Sequence, residues 1–343
     1  MTKKTKQRYI NIPVFVPHVG CPNDCVFCNQ KHITSQKDEV TPESVEKFLA
    51  ESVRTIDKSD NVYTEIAFFG GSFTGIDEKL QTELLAIAYK YVREGTVNGI
   101  RLSTRPDYIN PVILDRLLKY GVTTIELGVQ SMDDGVLALS ERGHTACQTR
   151  EAARLIKTYP FKLGLQMMVG LYGDTKEKSL NTARELVALE PDCVRVYPTL
   201  VLKDTRLADF YACGSYTPLD VDEAVETCKE IMYIFNNANI PVIRMGLMGS
   251  DEISLDGSVI AGPFHESFGE LVQSSIFFDK IKEQLKDCTE KNAVLYVNPT
   301  DMSKAAGNKK CNILHIKKSM GIELKIKPDN SVKKGDVCFE KKA

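Results

Sequence analysis

Short apolar runs alternate with amphipathic stretches through the first 245 residues, and that alternation constrains the fold of this 343-residue chain more than any other feature. The runs cover 9–16, 63–69, 99–103, 123–129, 162–169, 193–197 and 240–245. They read as apolar on both faces, the mark of buried parallel strands. Helical stretches fall between them at 41–56, 80–93, 111–120, 149–157, 176–189 and 220–237. The first opens Thr-Pro-Glu-Ser, a cap followed by proline at the first helical position. Strands alternating with helices imply crossover connections and a parallel sheet. About six such units precede residue 245, which favours an α/β barrel or partial barrel over a two-domain layout. An open doubly wound sheet is the other arrangement the pattern permits.

The pattern changes after residue 246. Residues 249–262 read as an irregular connection and 264–285 as a helix. A small α+β extension follows: strand (AVLYVN), short helix (DMSKAAG), turn (NKK), helix (CNILHIKKSM), strand (IELKIKP) and a polar end. The expected division is therefore 8–245 and 246–343. From residue 280 onward there are 15 lysines, no arginine and 8 acidic residues, a balance of +7 that leaves −9 on the rest of a chain with net charge −2. A basic tail on an acidic body suggests a module with an anionic partner, although a solvated lysine-rich surface has the same composition. No stretch of eighteen apolar residues is present, so no membrane span is expected. The basic segment MTKKTKQRY lacks the apolar run of a secretory signal, which points to the cytoplasm.

Of the ten cysteines only Cys21, Cys25 and Cys28 cluster, in the segment HVGCPNDCVFCNQ after the first apolar run. In a cytosolic protein such a cluster suggests metal or catalysis rather than disulfides. Three thiolates on one loop suit three corners of a [4Fe-4S] cubane and leave the fourth iron open. An open iron can chelate the amino and carboxylate groups of S-adenosylmethionine and pass an electron to its sulfonium. A zinc site is the competing reading, and it needs a fourth ligand such as His18 or His32.

The spacing C-x3-C-x2-C, with Phe27 before the last cysteine, resembles the radical S-adenosylmethionine superfamily. Within it, the chain looks most like the branch of the Elongator catalytic subunit and the oxygen-independent coproporphyrinogen oxidases, over roughly residues 8–285. The resemblance implies a partial (β/α)6 TIM-type barrel, with its site at the carboxyl ends of the strands. It also implies roles for the segments there. In FFGGSF, Gly70 and Gly71 would admit the methionyl amino group beside Ser72. In STRPD, Ser103 and Arg105 would lie near the ribose and carboxylate. In IELGVQS, Glu126 and Gln130 would point into the barrel. In RGHT, Arg142 would pair with the methionyl carboxylate, for which an arginine fork is well shaped. In LQMMVGLYGDT, Met168 to Gly170 would line the adenine pocket. The cysteine spacing is shorter than the Elongator subunit's, and there is no room for its acetyltransferase domain, so acetyl transfer is not expected. The scattered cysteines offer no second cluster, which disfavours methylthio transfer.

His265 and Glu266, in AGPFHESFGELVQS, would reach the barrel mouth as acid or base, against the plainer reading of a capping or core histidine. The tail from about residue 290 resembles a reduced KH module. Its helix–turn–helix carries GNKK at 307–310, with Lys310 where a second glycine is usual. Lys304, Lys309, Lys310, Lys317 and Lys318 would contact phosphates, no aromatic platform being evident. The alternative is a cap on the base of the barrel. The function the resemblance implies is reductive cleavage of S-adenosylmethionine to a 5′-deoxyadenosyl radical for modification of RNA, with tRNA the expected substrate and an electron donor such as flavodoxin or ferredoxin. The rivals are a small-molecule oxidase or lyase, and an RNA-binding protein with a structural cluster.

Overall fold

The computed structural model describes residues 7–16, 21, 25–29, 40–56, 59, 61–247, 249 and 253–339. His18 and His32 lie outside them. The barrel strands are β1 (Arg8–Val16), β2 (Val62–Gly70), β3 (Gly99–Thr104), β4 (Val122–Gln130), β5 (Lys162–Val169) and β6 (Cys193–Pro198). A short β7 (Val201–Leu202) precedes β8 (Val242–Met245). Strands β1 to β6 and β8 form one parallel sheet in that order, while β7 pairs with β9 (Val259–Ala261) in a separate antiparallel pair. The connecting helices are α1 (Pro42–Ser52), α2 (Glu78–Arg93), α3 (Pro111–Lys119), α4 (Asp134–Leu139), α5 (Ala146–Lys157), α6 (Lys176–Ala188), α7 (Arg206–Ala212) and α8 (Val221–Asn237). Most open on a side-chain cap: Thr41, Thr145 and Asp220 each close a reciprocal capping box that satisfies two otherwise unpaired amide groups.

The sheet curls. Strands four places apart in a flat sheet would be about 19 Å apart. Yet Lys162 of β5 lies 5.9 Å from the Tyr9 ring of β1 and 5.0 Å from the Tyr63 ring of β2. Higher up, the guanidinium of Arg195 on β6 lies 5.3 Å from the Phe69 ring of β2. The result is a partial barrel with polar residues across its lumen.

That lumen corrects the reading of the strands as apolar on both faces. Ile66, Phe68, Ile100, Leu102, Ile125, Leu127, Leu165 and Val194 are fully buried in the main core with the outer helices. Alternate residues turn inward, and several are charged. Arg101 meets Glu65 at 2.9 Å and Glu126 at 2.5 Å. Arg195 grips both oxygens of Glu126, at 2.6 and 3.1 Å. Thr123 and Thr124 donate to the other oxygen of Glu65. Buried charges are tolerable when their charge and lone pairs are matched in this way. A barrel lumen is more commonly filled by branched apolar side chains.

Helix α9 (Phe268–Leu285) serves two cores. Phe268, Val272 and Ile276 join the barrel core, while Ile281 and Leu285 join that of the tail. The tail is a three-stranded sheet in the order β11 (Glu323–Pro328), β10 (Asn292–Val297), β12 (Val337–Phe339). Strands β10 and β11 are parallel and joined by α10 (Met302–Ala306) and α11 (Cys311–Met320). The buried Asn312 amide ties these helices to α9, donating to Ser274 O and Oγ and to Ala305 O at 3.0–3.1 Å. At 307–310, Gly307 takes φ +78, where an added Cβ would fall 2.5 Å from Cys311 Sγ. Lys309 and Lys310 are both left-handed, at φ +49 and +62, so Lys310 adopts the conformation glycine ordinarily supplies. Strands β7, β9 and β12 and helices α4 and α7 were not foreseen in the sequence. No described helix is long and apolar enough to cross a membrane.

Candidate active site

The segments singled out in the sequence gather at the carboxyl ends of the barrel strands. The cysteine loop follows β1. Its described part is tied down by Val26, whose N–H donates to Ser140 O at 3.1 Å and whose carbonyl accepts from Leu207 N at 2.8 Å. Val26 and Phe27 pack with Val201, Leu207 and Tyr216. A turn closed by Cys28 N to Cys25 O, 2.9 Å, sets those two cysteines side by side. Cys25 is buried, and Cys21 and Cys28 are half-buried.

Next to this loop, β2 ends in the glycine pair. Gly70 takes φ +108, and a Cβ there would press within 3.2 Å of the Val16 backbone. The Gly71 N–H donates to Val16 O at 2.8 Å, so the ends of β1 and β2 lie close. Ser72 is buried, with its Oγ 3.5 Å from Cys21 Sγ.

Arg142 also reaches the cysteines directly. Its Nη1 lies 3.6 Å from Cys25 Sγ and its Nη2 donates to Gly128 O at 2.8 Å, while its buried Nε has no partner. The carbonyl of Gly128 is available because β4 bulges there: its register with β5 slips between Gly128 and Gln130, and Gln130 takes φ +67. A Cβ at 128 would fall 2.8 Å from Arg142 Nη2 and 2.9 Å from Gln130 Nε2, and would displace the ends of those two side chains. Gln130 is buried and its amide accepts from Gln166 Nε2 at 3.3 Å. His144 braces the bulge through Nε2 to Val129 O, 3.2 Å. Burial, reinforced by the charges of Arg142 and Arg105, holds His144 down at about 3, so the ring is neutral.

Arg105, 1% exposed, is clamped by Asp107 through Nε and Nη2, both at 2.9 Å, and its buried Nη1 has no partner. Burial opposes its charge, but Asp107 and then Cys25 more than compensate and raise its pKa. Ser103 is half-buried. Met168, also half-buried, pairs in register with Tyr197. Gly170, at φ +76, accepts from Tyr216 OH at 2.6 Å and donates to Asp174 at 2.9 Å. Glu126 sits deeper, with both oxygens engaged by Arg101 and Arg195. His265 takes a local role: its Nδ1 accepts from Ser267 N at 3.0 Å at the start of α9, while Glu266 is exposed.

These residues fit an iron–sulfur cluster with a bound amino acid group. Two buried guanidinium groups each leave a donor unpaired near Cys25, an unfavourable state unless an anionic group completes the site. Among the described residues no group of three His, Cys, Asp or Glu side chains is placed to hold a single metal ion. The sequence alone does not single out Glu65, Arg101, Asp107, His144 and Arg195. Charged residues at alternate positions within apolar runs (TEIAFF, IRLS, VRVY, VIRM) were the available signal for the lumen.

Residues 15–186 match the Radical SAM superfamily, and residues 191–277 match the Radical SAM C-terminal domain. The tRNA uridine(34) acetyltransferase of Dehalococcoides mccartyi (strain CBDB1) is 30% identical over 243 residues, 60% of this chain and 52% of that protein. Elongator complex protein 3 of Homo sapiens is 37% identical over 133 residues, 37% of this chain and 24% of that protein. The chain thus spans about half or less of these curated relatives. The archaeal Methanocaldococcus infernus Elp3 with an N-terminal deletion shares the fold, with TM-score 0.61 over 79% of this chain and 63% of that chain at 22% identity. The chain therefore belongs to the Radical SAM superfamily, enzymes that work with a [4Fe-4S] cluster and S-adenosylmethionine.

Proposed function

We propose that this chain is a tRNA-modifying radical S-adenosylmethionine enzyme, with Cys21, Cys25 and Cys28 as the cluster ligands. When bound, the cluster supplies the electron that cleaves S-adenosylmethionine to methionine and a 5′-deoxyadenosyl radical. Arg142 carries the reading: one guanidinium reaches both a cluster cysteine and the β4 bulge, so it can hold a carboxylate over the loop. Arg105, fixed by Asp107, turns its unpaired Nη1 to the same purpose. Gly70, Gly71 and Ser72 shape the approach to the methionyl amino group. Gln130, Met168 and Gly170, with Phe27 and Ser103 at the rim, border the nucleoside. Glu126 acts from below, by fixing Arg195 beneath Tyr197.

The similarity to proteins named tRNA uridine(34) acetyltransferase supports RNA as the substrate. A tRNA substrate implies a cytoplasmic enzyme with a reductant such as flavodoxin or ferredoxin. The barrel, 8–245, would perform the chemistry, and the tail beyond about residue 290 would help to hold the RNA, in part through Lys309 and Lys310 at the GNKK turn. The test is mass spectrometry of tRNA nucleosides from cells with and without the protein. A modified nucleoside that disappears with the gene and returns with the wild-type copy supports the reading. An unchanged nucleoside profile beside a changed small metabolite would transfer the activity to a small-molecule substrate.

A further inference from the structure

Among the described residues, no helix covers one face of the tail sheet. Ala293, Leu295, Val297 and Leu324 are buried in the cores beneath the helices. The alternate residues stand on the opposite side. Register sets Lys325 beside Val294 and Lys327 beside Tyr296, with Cys338 on the other flank of Tyr296. Both lysines are exposed, and Tyr296 is half-exposed in the central strand. Among the described residues of the three strands the one acidic side chain, Glu323, is paired with Lys317 at 2.6 Å. Lys333 and Lys334, also exposed, extend the positive charge along the turn into β12.

We infer that this open face binds a single-stranded segment of RNA, with a base stacked on Tyr296 and the adjoining phosphates on Lys325 and Lys327. An aromatic ring offers a surface to any base, and cations flanking it take the backbone, which together make the usual platform for single strands. Lys325 and Lys327 are two residues apart on one strand, about 6.6 Å, so they follow a backbone rather than a point charge. Lysines on an edge strand also discourage sheet-to-sheet pairing, but that purpose does not call for a tyrosine at the centre of the same face. The surface is distinct from the GNKK turn, which joins the helices of the other layer. Tyr296 and Lys327 are distant in sequence and meet only through the β10–β11 register, which is why no platform was legible in the sequence.

The inference rests on the RNA reading above, and the experiment separates the two. Filter binding of the full-length protein to bulk tRNA and to labelled oligouridine is followed across a potassium chloride series. Wild-type protein is expected to bind both, with affinity falling as salt rises. Lys325→Gln combined with Lys327→Gln should reduce the log–log salt slope by about 1.4, from ~0.7 per lost phosphate contact. Tyr296→Ala should weaken binding about ten-fold at fixed salt without changing that slope, and Tyr296→Phe should retain it, since stacking uses the ring. The two lysines are exposed, so their variant keeps the test sound if Tyr296→Ala perturbs the sheet. Wild-type binding that neither variant alters overturns this surface and leaves the RNA reading intact. A wild-type protein that binds no RNA at low salt overturns both.

Discussion

Two sheets in this chain bury one face and charge the other, and they handle the charge in opposite ways. In the barrel the charged face is concave. Glu65, Arg101, Glu126 and Arg195 meet across the lumen and neutralise one another out of water. In the tail the charged face is open, and Lys325 and Lys327 project into solvent. Strand number accounts for the difference. Seven strands can curl until distant members touch, while three cannot enclose anything. The same alternation of apolar and charged residues therefore builds a rigid interior in one place and a contact surface in the other.

The largest effect that can break this comparison is expected at Glu126. Glu126→Ala would leave Arg101 and Arg195 buried without their shared carboxylate, at a cost of about 3–5 kcal/mol. Burial opposes the charge on both arginines, and Glu126 more than offsets it, holding each above the usual arginine range. Denaturant unfolding of Glu126→Ala beside Lys327→Ala measures the contrast: a large loss in the first and none of note in the second. Equal stabilities would mean that the lumen network does not hold the barrel.

Arg142→Ala comes next. Removing a charged donor from the site should weaken S-adenosylmethionine binding by roughly 1.5–3 kcal/mol, read by calorimetry on reconstituted protein. Unchanged affinity would detach the β4 bulge from the cofactor.

Near neutral pH the smallest effect is a pH dependence centred on His144, which grows only as the solution is acidified. Its folded value, about 3, lies below the usual histidine value of about 6.5. Between those values the unfolded chain binds the extra proton, so stability falls as pH drops below about 6.5, by up to ~1.4 kcal/mol per pH unit. Above that range the ring is neutral in both states and contributes no slope. His144→Gln should flatten the acid limb of the stability profile, and an identical limb in the variant would assign the slope to other groups.

The sequence reveals the barrel readily because parallel strands and their capped helices carry local signals. Each apolar run became a strand with bounds that shift by at most a few residues, and Thr41, Thr145 and Asp220 mark their helices by capping chemistry alone. The cysteine loop is equally legible, since its chemistry depends on spacing along one loop. Partnerships across the sheet are not. Nothing near residue 126 in the sequence says that its carboxylate meets arginines from strands on both sides, or that Gly128 lends its carbonyl to Arg142. The same holds for β12, whose three residues form a strand only because β10 offers them an edge.

If Cys21, Cys25 and Cys28 hold the cluster on which the chemistry depends, as proposed, anaerobically purified protein reports it directly. Wild-type protein should be brown, carry about four irons as a single cubane requires, and release 5′-deoxyadenosine when S-adenosylmethionine and a reductant are supplied. Changing all three cysteines to Ala should abolish the colour, the iron and the 5′-deoxyadenosine together. A triple variant that keeps the wild-type iron content and cluster absorption would show that these three cysteines do not hold the cluster.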